Sequence, residues 1–193
     1  MRLQTIFVLI AVAGAAVAQQ DIWSHVKPHF DAPQLSTATV SKERLAAIRR
    51  LLRENRRSIG WPCDGTELNE LLDGLTFESI PLSPGHEVLL VQAGAGCARG
   101  GQGSNGAMWL VSIDGNTPSL IATPKGGFSG WLFAIEPETS HGYHDIVLGW
   151  HMGAAEGTLN YLRFDGKSYQ GVGSAAYTVD DNDNLKIVPI PKA

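Results

Sequence analysis

Residues 106–115 read GAMWLVSIDG and residues 157–166 read GTLNYLRFDG, and the two stretches align without a gap at an offset of 51. Each runs from a glycine through apolar residues to Asp-Gly, a dipeptide that supplies the positive φ of a tight hairpin turn. Each copy therefore reads as a strand, a two-residue turn and a return strand. Upstream, GHEVLLV at 85–91 matches YHDIVLG at 143–149 at an offset of 58. The seven-residue difference falls in one place, the glycine-rich loop GAGCARGGQG at 94–103. Working outward, strands are predicted over 76–82, 86–93, 107–113 and 117–122, and again over 131–136, 144–150, 158–164 and 167–172. A last hairpin joins 175–179 to 185–190 through the turn residues 180–184. The expected fold is mainly β: a two-copy antiparallel β repeat forming a compact curled sheet or sandwich over residues 75–193.

Ahead of this body, Ser41 is placed to cap a helix whose Leu45, Ile48 and Leu52 make one apolar stripe. Its other face carries Arg44, Arg49, Arg50, Arg53, Arg56 and Arg57, which read as a solvated face rather than an anion-binding patch. A second short helix runs from Asp64 or Thr66 to Leu72, near Gly74. Residues 41–74 thus hold one or two short helices, and 19–40 are a polar lead-in with Trp23, Pro28 and Pro33. Twenty-two glycines and ten prolines in 193 residues agree with a turn-rich β fold.

The first residues specify a compartment. Arg2, the apolar run from Ile6 to Val17 and the small residues Ala16 and Ala18 before Gln19 form a cleavable signal peptide, residues 1–18. About a dozen apolar residues are too few for a bilayer, which needs roughly 20, so no membrane span is expected after cleavage. The mature protein is expected to be periplasmic or extracellular, where the only two cysteines, Cys63 and Cys97, pair as a disulfide. A formal net charge of −4, more negative once Arg2 is lost, gives no electrostatic reason to bind nucleic acid.

The segment from Glu138 through His141 and His144-Asp145 to Gly149 resembles the FG-GAP or VCBS-type repeat, in which a polar glycine loop leads into an Asp-aliphatic strand. With Tyr161 to Tyr169, it is similar to a pattern of exported bacterial β-rich proteins of unknown function, over about residues 76–173. The resemblance implies a fold and leaves function open. It does not bring calcium with it, because Glu138, Ser140 and His141 stand where a metal-binding loop carries its series of carboxylates.

Two groups of residues carry candidate chemistry. His141, His144, Asp145, His151 and Glu156 combine imidazole with carboxylate, the donors zinc prefers, but match no known zinc spacing. His144 and Asp145 point to opposite faces of one strand. Trp109, Trp131, Trp150, Tyr161 and Tyr169 lie in the repeat, where any that stand outside the core could anchor a partner. No nucleophile elbow or nucleotide fingerprint is present, and no cofactor is expected. The leading expectation is an exported, non-enzymatic binding domain for a protein or glycan of the envelope. The alternative is a metal-assisted hydrolase using the His141 to Glu156 cluster.

Overall fold

The structure is a computed structural model that describes residues 22–27, 33–58, 65–94, 96–98, 105–182 and 184–191. Residues 1–18, expected from the sequence to be a signal peptide, Cys63 and most of the loop 94–103 lie outside the described residues. Among the described residues, 22–24 are helical, and two longer helices follow, α1 (Lys42–Glu54) and α2 (Gly65–Asp73). Ten strands follow the order β1 (Ser36–Thr37), β2 (Leu75–Ser79), β3 (Glu87–Ala93), β4 (Gly106–Asp114), β5 (Thr117–Ala122), β6 (Ser129–Ser140), β7 (Tyr143–His151), β8 (Glu156–Phe164), β9 (Tyr169–Val179) and β10 (Leu185–Ile190).

They form one open antiparallel sheet ordered β1-β2-β3-β4-β6-β7-β8-β9-β10, with β5 also paired to β4. The meander β2 to β5 and the meander β6 to β9 are the two copies of the repeat. They join where the start of β4 leaves β5 and pairs with β6, Gly106 opposite Gly130 and Ala107 opposite Ser129. Two further ties cross this junction. The Asn105 side chain pairs with the His151 backbone in both directions (2.7 and 3.0 Å), and the His144 N–H donates to the Leu82 carbonyl at 2.7 Å.

The duplication holds, with its register shifted by one residue. Val88 pairs with Ser112 and Ile146 with Leu162, so a shift of 58 on β3 corresponds to a shift of 50 on β4. The ungapped match at 51 therefore sets residues of opposite faces against each other. The two Asp-Gly dipeptides explain the slip. Asp114 still belongs to the ladder, pairing with Thr117 around a Gly115-Asn116 turn in which Gly115 has φ 59°. In the second copy Asp165 lies inside a longer turn between the paired Phe164 and Tyr169. There its carboxylate accepts from the Lys167 and Ser168 N–H groups, both at 2.8 Å, which hold it below the usual carboxylate range. The two strands expected over 167–172 and 175–179 are one strand, β9.

Alternation along each strand fills three cores. Val88, Leu90, Met108 and Leu110 meet Ile146, Leu148, Leu162 and Phe164 between the two half-sheets. On the outer face of the first half, Leu89, Val91, Trp109 and Val111 are covered by Ile48 and Leu52 of α1 and Leu68, Leu71 and Leu72 of α2. On the outer face of the second half, Phe133, Val147, Leu159, Tyr161 and Tyr177 are covered by Trp23 and Val26, from a short segment at residues 22–27. Ser41 caps α1 as expected, its hydroxyl accepting from the Arg44 N–H at 3.3 Å. Arginines of α1 bind locally. Arg44 grips Glu87 (2.8 Å) and the Gly115 carbonyl, Arg49 reaches Asp73 and the Leu72 carbonyl, and Arg53 reaches Asn69.

Candidate functional site

The most irregular stretch of the sheet is the middle of β6. Ile135 pairs with Ile146 and Thr139 with His144, so three residues, Glu136, Pro137 and Glu138, oppose the single residue Asp145. Proline offers no N–H to a ladder, and a bulge is where a sheet tolerates it. The bulge gathers carboxyl groups on the outer face of the second half-sheet.

Asp145 is 1% exposed. Its oxygens accept from the Ser140 hydroxyl (2.7 Å), the Tyr161 hydroxyl (3.3 Å) and Arg163 Nε (2.9 Å). Arg163 is half-exposed and lies over the Tyr161 ring, its guanidinium carbon 5.6 Å from the centroid. The hydrogen bond to Asp145 raises the Arg163 pKa further, and burial together with the Asp145 charge pushes the Tyr161 hydroxyl upward.

Glu136 is 5% exposed. Oε2 of the neighbouring Glu138 is buried without a partner among the described residues. Burial first, and the Glu138 charge second, push the Glu136 carboxyl up to about 7. His25 and Lys27 oppose that shift and Asp145 adds to it.

The five metal candidates do not converge: among the described residues, no three of His, Cys, Asp and Glu are placed to hold a metal ion. His141, with φ 51°, and Gly142, with φ 80°, form the tight turn between β6 and β7. The His144 ring hydrogen-bonds through Nδ1 to the Glu136 carbonyl at 2.8 Å. His151, at the far end of β7, stacks on Trp131 at 5.2 Å and bonds the Tyr177 hydroxyl at 2.9 Å. Glu156 is exposed at the adjoining hairpin. Likewise Asp180 is occupied in its own turn, accepting from the N–H groups of Asn182 and Asn184 at 2.9 Å.

The five aromatic candidates divide by burial. Trp109, Tyr161 and Tyr169 are core residues, and the Tyr169 hydroxyl bonds the His144 carbonyl at 2.7 Å. Trp131 and Trp150 are half-buried, on opposite faces of the sheet. Trp150 begins a row across the inner face, Trp150, Thr158, Ala176, Val188, set beside a second row of Asn160, Ser174 and Ile190. Neither row belongs to the core between the half-sheets, which reaches only to Leu148 and Leu162. The residues of β7 to β9 in these rows are half-exposed, and Val188 and Ile190 on β10 are exposed. The Ser174 hydroxyl donates to the Asn160 side-chain oxygen at 2.8 Å.

Glu136, Arg163 and the covering segment at 22–27 escaped the sequence reading. A Pro between two glutamates inside a strand was the signal for the bulge, whereas nothing local links Arg163 to Asp145. Cys97 is half-buried in a one-turn 3-10 helix (Gly96–Ala98), and no free cysteine stands among the described residues. No helix of the described residues is long and apolar enough to cross a membrane. No protein-family model matches the chain, and no curated protein or solved structure shows a significant match to it.

Proposed function

We propose that this chain is an exported binding domain, without an enzymatic role, that receives a protein or glycan of the cell envelope on the inner face of β7 to β10. The observation that carries this reading is the half-exposed pair of rows beside Trp150, which leads to the exposed Val188. An indole next to the amide of Asn160 and the hydroxyls of Thr158 and Ser174 offers a stacking plane and hydrogen-bonding groups together, the combination by which a saccharide ring is held. Metal-assisted hydrolysis loses its support because the side chains from His141 to Glu156 lie apart.

Titration of the protein with solubilised cell-wall fragments, followed by Trp fluorescence and NMR, is the test. Trp150→Ala is expected to weaken binding at least tenfold and to leave thermal stability nearly unchanged, since the side chain is half-exposed. Equal binding by wild type and variant would remove the face from consideration, and capture of a protein partner instead would replace the glycan.

Pairing of Cys63 with Cys97 belongs to the same reading. Cys63 precedes α2 by two residues, and the turn holding Cys97 packs beside α2. The unreduced, denatured protein is expected to show no reactive thiol, and reduction to lower stability by about 3 kcal/mol. Two titratable thiols before reduction would overturn the pairing.

A further inference from the structure

Asn105 and Gly106 form the only Asn-Gly dipeptide in the chain. They stand at the junction between the half-sheets, where Gly106 pairs with Gly130. The Asn105 side chain commits both of its hydrogen-bonding groups to one residue of β7. Its Nδ2 donates to the His151 carbonyl at 2.7 Å, and its Oδ1 accepts from the His151 N–H at 3.0 Å. An Asn followed by Gly is chemically labile, because a residue without a Cβ leaves its backbone nitrogen open to attack the preceding side-chain amide. That attack turns the amide carbon tetrahedral and draws it out of the plane that the two hydrogen bonds fix. The closed junction therefore protects Asn105, since reaction there would break both bonds. Asn105 and His151 also lie beyond Met108 and Leu148, the last residues that β4 and β7 give at this end to the core between the half-sheets. This end of the junction can thus open while that core stays closed.

We propose that Asn105 is a self-modification site: local opening of the junction lets the Gly106 backbone nitrogen close on the Asn105 side chain, and the product keeps the junction from closing again. The bond from the Gly106 nitrogen to Cγ forms, the Cγ–Nδ2 bond breaks, and the proton of the Gly106 N–H leaves with Nδ2 as ammonia. A cyclic imide remains, and water opens it at one of its two carbonyls. Opening at Cγ leaves an aspartyl residue at position 105. Opening at the backbone carbonyl leaves an isoaspartyl linkage, in which the chain runs on through Cγ. Neither product restores the tie to β7. A carboxylate has no N–H to give the His151 carbonyl, and it sets an oxygen against that oxygen instead. The isoaspartyl form also lengthens the main chain by a methylene, which the Gly106–Gly130 pair and the contact with His151 cannot both absorb. This inference does not depend on the proposed binding function.

Ageing of the native protein at neutral pH, followed by peptide mapping, reads conversion at Asn105 against an unstructured peptide of residues 102–109. Conversion in the native protein is expected to be about tenfold or more slower than in the peptide, yet faster than its globally unfolded fraction allows. In urea that unfolds the chain, it should match the peptide. The converted fraction carries one more negative charge and separates by anion exchange. Its amides at residues 106–107 and 129–130 are expected to exchange hydrogen at least about tenfold faster than those of the unconverted protein. Asn105→Asp, which makes one product directly, should show the same acceleration; should it fail to fold, the converted wild-type fraction supplies the comparison. Native conversion as fast as in the peptide, conversion no faster than global unfolding accounts for, or equal exchange in converted and unconverted protein would each overturn the proposal.

Discussion

Gly130→Ala is expected to lower stability by roughly 4 kcal/mol, the sum of backbone strain and overpacking. Gly130 has φ 103°, a conformation that side chains rarely adopt, and a Cβ there would lie 2.1 Å from the Gly149 carbonyl oxygen. That oxygen is backbone near the end of β7, where Gly149 is paired to both β6 and β8, and cannot swing aside. Gly130 also forms the junction with Gly106, so relief by moving β6 would pull the two half-sheets apart. Urea unfolding with paired fluorescence and circular dichroism would measure the loss, and a change under 1 kcal/mol would show that the junction is more yielding than this geometry. Gly142→Ala, in the tight turn with φ 80° and open space around its Cβ position, is the matched control: it carries the strain without the clash and should cost clearly less.

Trp109→Ala is expected to cost a similar amount, roughly 4 kcal/mol, by emptying the middle of the core under the helices. Its side chain is 0% exposed and packs among Leu89, Val91 and Val111 with Ile48, Leu52 and Leu72 above. The indole N–H has no acceptor among the described residues. Trp109→Phe, which removes that unpaired group while keeping most of the apolar volume, should therefore recover much of the loss. Thermal denaturation of the pair would check this. The contrast with Trp150→Ala separates the aromatic residues that build the fold from the one proposed to meet a partner.

The parts of the fold written in local pattern were legible. The helix cap at Ser41, the stripe of Ile48 and Leu52, and the strands from Leu75 to Ile190 all follow from spacing and turn residues. The duplication was visible as well, because GHEVLLV and YHDIVLG keep their faces at an offset of 58. What failed was the register of the second pair of strands. Asp-Gly is a turn signal in either of two positions, and only the ladder tells whether its Asp closes the strand, as Asp114 does, or enters the turn, as Asp165 does. The candidate sites were less legible, since they depend on which faces remain uncovered. His144 and His151 sit at opposite ends of one strand, as their seven-residue separation suggested. In contrast, the meeting of Asp145 with Arg163, and the covering of Phe133, Val147 and Tyr161 by Trp23 and Val26, are set by strand pairing and by a segment more than a hundred residues away.

The junction at Gly106 and Gly130 bears on how the chain reaches this structure. Apart from the β4–β6 pair, every strand neighbour in the sheet is also the next strand in sequence. Except for the passage through the two helices between β1 and β2 and the glycine-rich loop between β3 and β4, each half can therefore zip up from its own hairpins with short loops to close, the circumstance in which β proteins fold fastest. The step that joins them involves two backbone residue pairs, the side chain of Asn105, which stands in for one more rung, the His144 N–H on the Leu82 carbonyl, and the apolar core between the half-sheets. Few backbone hydrogen bonds but a full apolar core hold the two meanders together, so the halves are expected to gain their lasting stability on docking, the seam forming after the hairpins and with the core.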